Sequence, residues 1–206
     1  MKKIKILIIF IFSVSVSAQD ISQINSDLKL SDSLTYKTEI RIYKRNGITN
    51  YSSLFRMFKN KSEKWTSEFY QHYAKVDGKT KLHTEKRTLK SHNDMEFVFL
   101  NFVRNHIFEL PNMSRIKWKL ITPGKVDKVQ IAHRGKKREE YQLINNKVSI
   151  LDGEGFKILV KNSNLTNEFE YSNPDEYLKH YSEIDELIYM CEILKIIRTE
   201  FGIWKK

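Results

Sequence analysis

Residues Asn93 to Leu110, NDMEFVFLNFVRNHIFEL, constrain the fold most, because they read as a helix while alternating, strand-like sequence lies on both sides. On a 3.6-residue wheel Phe99, Leu100, Val103, Ile107 and Leu110 form one stripe, and Asn101, Arg104, Asn105 and Glu109 lie away from it. Asn93 suits the N-cap, Glu96 can close a capping box, and Pro111 stops the helix. An amphipathic helix needs an apolar surface to lie on, and the flanking segments supply the strands for one.

Before the helix, Thr35 to Arg45 alternates Ile40 and Ile42 with Lys37, Glu39 and Arg41, the pattern of a half-buried strand with a solvated charged face. Tyr51 to Lys59, apolar on both faces in part, reads as a central strand. Trp65 to Val76 follows, and the polar Lys79 to Leu89 suits a sheet edge. Asn46-Gly47, Asn60 to Glu63 and Asp77-Gly78 supply the turns. After Pro111, Arg115 to Ile121 gives the clearest alternation, Ile116, Trp118 and Leu120 against Arg115, Lys117 and Lys119, with a turn at Pro123-Gly124. Further strands are expected at Val126 to His133, Arg138 to Ile144, Lys147 to Leu151, Phe156 to Lys161 and Glu168 to Tyr171, with turns at Arg134-Gly135, Asn145-Asn146, Asp152-Gly153 and Asn162 to Asn164.

The chain closes helically. Asn173-Pro174-Asp175-Glu176 starts a short helix to about His180, and Ser182 starts a longer one. The apolar stripe of the longer helix, Ile184, Leu187, Ile188, Cys191, Leu194 and Phe201, is broadened by Met190, Ile193 and Ile197 and ends at Gly202. The expected fold class is therefore α+β: antiparallel meanders before and after a central amphipathic helix, with a C-terminal helix packed on the sheet. Two sheets with the helices covering one side is the arrangement this pattern suggests first.

Residues 1 to 18 have three lysines, an apolar run from Ile6 to Phe12 and a Val16-Ser17-Ala18 end, the three parts of a secretory signal. The apolar run is shorter than the roughly 20 residues of a spanning helix, so export to periplasm or medium is expected, with no transmembrane segment after cleavage. Cleavage removes three of 36 basic residues against 25 acidic ones, and the formal charge falls from +11 to +8. Residues 19 to 33 form a loose lead-in or short helix, and 34 to 206 a single domain long enough to bury a core. The lone Cys191 cannot form an internal disulfide; packing on a buried helix face explains it more simply than nucleophilic chemistry.

Catalytic signals are sparse. The six histidines, His72, His83, His92, His106, His133 and His180, show no HxH, HxxxH or HExxH spacing, and no G-x-S-x-G, Walker or G-x-G-x-x-G motif occurs. No metal or cofactor is expected. The acid pairs Asp175-Glu176 and Asp185-Glu186 stand near helix starts, where acids are favoured for electrostatic reasons. Glu96 falls on the apolar stripe, where burial would raise its pKa toward general-acid use with His106 or His72 as a base. Helix capping is the simpler role.

Charge is more informative. From Arg115 to Arg138 the basic residues are Arg115, Lys117, Lys119, Lys125, Lys128, Arg134, Lys136, Lys137 and Arg138, with Asp127 the one acid. On adjacent strands they would form a surface for an anionic polymer, a lipid surface or an acidic protein. A later acidic run, Glu168, Glu170, Asp175, Glu176, Glu183, Asp185, Glu186 and Glu192, offers intramolecular complementarity as the alternative. Aromatics from Tyr36 to Tyr73 suit either a stacking platform or cross-strand packing. No motif for sequence-specific nucleic-acid recognition is present. The pattern favours a non-enzymatic binding domain, with a small exported enzyme or a structural envelope component as alternatives.

Overall fold

The computed structural model describes residues 21–47, 49–133, 135–150 and 153–205; the signal segment 1 to 18 and Arg134 lie outside them. The architecture is α+β, built on a six-stranded, fully antiparallel sheet with a separate two-stranded hairpin. In chain order the strands are β1 (Thr38–Asn46), β2 (Tyr51–Lys59), β3 (Trp65–Tyr73), β4 (His83–Thr88), β5 (Thr122–His133), β6 (Lys136–Asn146), β7 (Glu154–Asn162) and β8 (Leu165–Ser172). The helices are α1 (Ile21–Asp27), α2 (Met95–Arg104), α3 (Pro174–His180) and α4 (Asp185–Phe201), with a 3-10 helix over Met113–Leu120.

The first meander forms as its alternation predicts, and the polar β4 is the exposed edge. The second does not form a sheet of its own. β7 and β8 join the free side of β1, giving the order β4-β3-β2-β1-β7-β8, while β5 and β6 pair only with each other. This places β1 in the middle of the sheet. Its Ile40 and Ile42, with Phe55, Met57, Phe69, Phe156, Ile158, Val160 and Phe169 from the neighbouring strands, make one continuous apolar face. Helix α4 lies on that face through Leu187, Met190, Ile193, Leu194, Ile197 and Phe201. A stripe so broad fits burial against more than one neighbour, as the sequence implies. Cys191 is buried on the same helix. Gly202 then takes φ +67 as the C-cap, a conformation that side chains disfavour, and the chain turns back to set Trp204 between Phe69 and Phe156.

The central helix departs from its predicted phase and length. Asp94, not Asn93, is the N-cap, its carboxylate accepting from the Glu96 and Phe97 amides. The buried residues are Val98, Phe99 and Phe102, whereas Leu100 is 55% exposed and Phe97 and Val103 also face solvent. The helix stops at Arg104, six residues early. His106 adopts φ +56, its amide donates to the Val103 carbonyl and the Ile107 amide to the Phe102 carbonyl, which is a complete Schellman closure. Ile107 and Leu110 are buried beyond that closure, so apolar positions assigned to one helix belong to a helix and the loop after it.

Arg115 to Ile121 is not a strand. Asn112 caps a 3-10 helix by accepting from the Ser114 amide at 3.0 Å, and Met113, Ile116 and Leu120 turn inward while Trp118 faces water. Over six residues, alternation with one outward apolar residue is indistinguishable from helical spacing, and the cap decides it. Pro123-Gly124 is likewise not a turn but a β-bulge inside β5, where the register shifts between Thr122 and Lys125. A Cβ on Gly124 would stand 1.4 Å from the Ile144 carbonyl oxygen, so close strand approach requires glycine there. Asn145-Asn146 ends β6 rather than turning it, and Lys147 to Ile150 runs without strand pairing.

Candidate functional site

The face of the sheet opposite α4 carries the most unusual chemistry. The alternation in β1 turns Glu39 and Arg41 away from the Ile40 and Ile42 face, but that side is not solvent: both are fully buried. The lead-in covers them: α1 packs Ile24 and Leu28 against Tyr43, Leu54 and Tyr70, and the segment after it runs across the sheet. Glu39 Oε1 accepts from Arg41 Nε at 2.7 Å and Arg56 Nε at 2.8 Å, and its Oε2 accepts from the amides of Thr35 and Tyr36. Arg41 also donates to the Ser31 and Ser33 carbonyls, so this ion pair grips the backbone of the covering segment from both sides. Arg56 continues to Glu68 at 3.3 Å, and Glu68 takes the Tyr70 hydroxyl at 2.6 Å and Lys86 at 2.7 Å. Tyr36 and Phe58 stack at 4.2 Å, with the Arg56 guanidinium 4.5 Å from the Phe58 ring centre. Burial pushes the Glu39 carboxyl up, but the Tyr36 amide and the charges of Arg41 and Arg56 outweigh it and hold the carboxyl below its usual range.

His72, a candidate base, lies on this same face. Its Nδ1 meets Ser52 Oγ at 3.1 Å and its Nε2 meets Asp27 Oδ2 at 2.8 Å. These residue types match a hydrolytic triad, but the serine is on Nδ1 and the acid on Nε2, the reverse of the catalytic order, and Ser52 is buried. The arrangement fastens α1 to β3. Asn25, fully buried, fastens it again by accepting from the Tyr43 hydroxyl at 2.7 Å.

Glu96 and His106 are elsewhere and far from one another. Glu96 neither caps its helix nor enters the core. It accepts from Trp65 Nε1 at 2.8 Å and Lys59 Nζ at 2.9 Å, tying the start of α2 to β2 and β3. The Lys59 and Trp65 hydrogen bonds lower its pKa, the opposite of what a general acid needs. His106 is the left-handed residue closing α2, its ring tilted against Tyr189 with centroids 4.6 Å apart, and Glu96 lies at the other end of a helix about 15 Å long. Trp65 and His72, at odd and even positions of β3, face opposite sides of the sheet, which separates Glu96 from His72 as well. Between α2 and the sheet aromatic rings pack, Phe99 5.1 Å from Trp65 and Phe102 6.4 Å from Phe55. A cleft of about 290 Å³ opens at the turn end of the sheet, lined by Arg45, Tyr51, Glu154 and Asn173 among others. Among the described residues no group of three histidine, cysteine or acidic side chains could hold a metal ion.

The basic residues divide between two elements. Arg115 and Lys117 are exposed on the 3-10 helix, and Lys119 bonds Glu186 at 2.6 Å, the one ion pair among the described residues that joins the basic stretch to the acidic one. Five of the other acids pair within the C-terminal part of the chain: Glu168 and Glu170 with Lys157, Asp175 with Arg198, Glu176 with Lys179 and Glu192 with Lys195. Lys125, Lys128, Lys136, Lys137 and Arg138 stand on the β5-β6 hairpin. By strand parity Lys128 and Lys137 share one face, and Lys125, Lys136 and Arg138 the other. Lys125 pairs with Asp127, Lys128 with Glu139 and Arg138 with Glu140, so Glu139 and Glu140, just past the end of the basic run, moderate it. Lys136 and Lys137, beside the hairpin turn, are exposed and have no ion-pair partner among the described residues.

The hairpin itself is the feature that composition could not reveal. β5, twelve residues, and β6, eleven, meet at ten pairs in a ribbon about 35 to 40 Å long, and no described residue between Thr122 and Asn146 is buried. Tyr141 is 74% exposed, with Lys128 Nζ 5.9 Å from its ring centre, and Val126 and Leu143 are exposed beside it. No helix among the described residues is long and apolar enough to cross a membrane. Comparison with protein-family models, with curated proteins and with solved structures finds no match to this chain.

Proposed function

We propose that this chain is an exported, non-enzymatic binding module whose contact is the β5-β6 hairpin with the 3-10 helix before it, and whose partner is anionic. One observation carries the reading: a long two-stranded arm stands outside the core, and near its end Lys136 and Lys137 have no ion-pair partner among the described residues. A two-stranded ribbon with neither face covered is marginal in water, so such an arm is best accounted for by what it meets. Its composition, six basic against three acidic residues between 122 and 146, sets the sign of that partner. The signal-like leader supports a periplasmic or extracellular destination.

The reading is tested with heparin as a soluble polyanion across a salt series. Binding is expected to weaken steeply as salt rises and to fall at least about tenfold when Lys136, Lys137 and Arg138 are all changed to Glu, since like charge then faces like charge. Equal affinity in the triple variant would remove the hairpin from the proposal.

A further inference from the structure

The arm is more than basic. Trp118, at 69% exposure, stands four residues before β5, and within the arm Val126, Tyr141 and Leu143 are 66, 74 and 61% exposed. The cross-strand pairs Val126–Leu143 and Lys128–Tyr141 bring the last three onto one face together with Lys128. Aromatic and aliphatic side chains interleaved with lysine are what the boundary between headgroups and acyl chains accommodates: the rings and aliphatic groups enter, and the ammonium groups stay among the phosphates. A soluble polyanion would use the lysines and leave Val126 and Leu143 in water.

From this we infer that the anionic partner is a lipid bilayer surface, met by the apolar-basic face of the hairpin and by Trp118; the inference rests on the binding role proposed above. Depth follows from hydrogen bonding. Neither outer edge of the ribbon pairs with another strand among the described residues, so both present backbone amides and carbonyls that hydrocarbon cannot satisfy, and the arm lies at headgroup level and does not span. Negative lipid is required, because Lys136 and Lys137 supply the long-range attraction before the apolar side chains engage.

The full chain is titrated with phosphatidylcholine vesicles with and without phosphatidylglycerol, and separately with heparin. Three proteins are compared: unaltered, Trp118→Ser/Tyr141→Ser/Leu143→Ser, and Lys136→Glu/Lys137→Glu. Binding is expected with the anionic vesicles only. The apolar variant should lose at least tenfold in vesicle affinity while its heparin affinity stays within twofold. The charge variant should lose about fivefold or more per side chain toward both ligands. All three apolar positions are solvent-exposed, so circular dichroism of that variant should match the unaltered chain. Vesicle binding unchanged in the apolar variant overturns the lipid inference, as does salt-sensitive binding to heparin without vesicle binding; in either case the anionic-partner reading stands. Binding to neither ligand overturns both.

Discussion

Glu39 shows how a single side chain can be fixed by its surroundings in a place its own chemistry opposes. A carboxylate taken out of water costs several kcal/mol unless partners replace the lost hydration. Here two guanidinium groups and two backbone amides do so. Removing only the charge takes from the buried Arg41 its carboxylate partner and leaves Arg56 with Glu68 alone, so Glu39→Gln is expected to cost about 3–5 kcal/mol at pH 7. The pH dependence follows from the direction of the shift. The folded-state pKa lies below the unfolded value, so the carboxylate's contribution is complete above the unfolded range near pH 4 and is lost as pH falls through the folded value. Urea midpoints for the unaltered and Glu39→Gln proteins should therefore differ widely at pH 7 and converge below about pH 4. A constant gap across that range would mean that Glu39 is not the titrating group. Strand alternation placed Glu39 opposite Ile40 correctly, but alternation reports only that two residues face different ways, not that the second face is wet.

At the scale of the element, α2 has an inward side one step away from the one its apolar pattern suggests. Phe97, Leu100 and Val103 would make a good stripe by themselves, yet the helix buries Val98, Phe99 and Phe102. The wheel could not choose, because a segment with apolar residues at seven of ten positions has several acceptable faces; the aromatic contacts to Phe55 and Trp65 choose for it. The two phases give different stability outcomes. Phe102→Ala should cost about 3–5 kcal/mol, as for a buried aromatic, and Leu100→Ala should stay within about 0.5 kcal/mol. Chemical denaturation of the pair decides between them, and a large loss at Leu100 would return the helix to the sequence-derived phase. His106 belongs at this scale too, since its left-handed backbone ends α2, a role that no side-chain pattern marks.

For the whole molecule, the body and the arm are separable in their energetics. The body's core is shared among the six-stranded sheet, α2 and α4, while no described residue of the arm is buried. Because Thr122 and Asn146 pair at its foot, residues 125 to 144 can be replaced by a short glycine-serine turn without stretching the chain. The melting temperature of that variant is expected within about 4 °C of the intact protein, the equivalent of roughly 1 kcal/mol for a chain of this size. A loss of more than 10 °C would show that the arm helps hold the body together. The arm was legible in part, since both strands follow from their alternation. Its isolation was not, because alternation says nothing about which strand a strand will pair with.

Whatever depends on near neighbours can be read along the chain: the four-strand meander, the polar edge at β4, the α+β class, the broad stripe and glycine stop of α4, and the gathering of basic residues between 115 and 138. These rest on periodicities of two and 3.6 and on turn and cap preferences. Long-range packing set the rest: β7 and β8 join β1, the lead-in seals Glu39 and Arg41 from water, and Glu96 binds Trp65 and Lys59 on the side of the sheet opposite His72. Those outcomes depend on which surfaces meet across long chain separations. Burial, pairing and the electrostatic environment of a charge are properties of that meeting, and a residue's own position in the chain does not contain them.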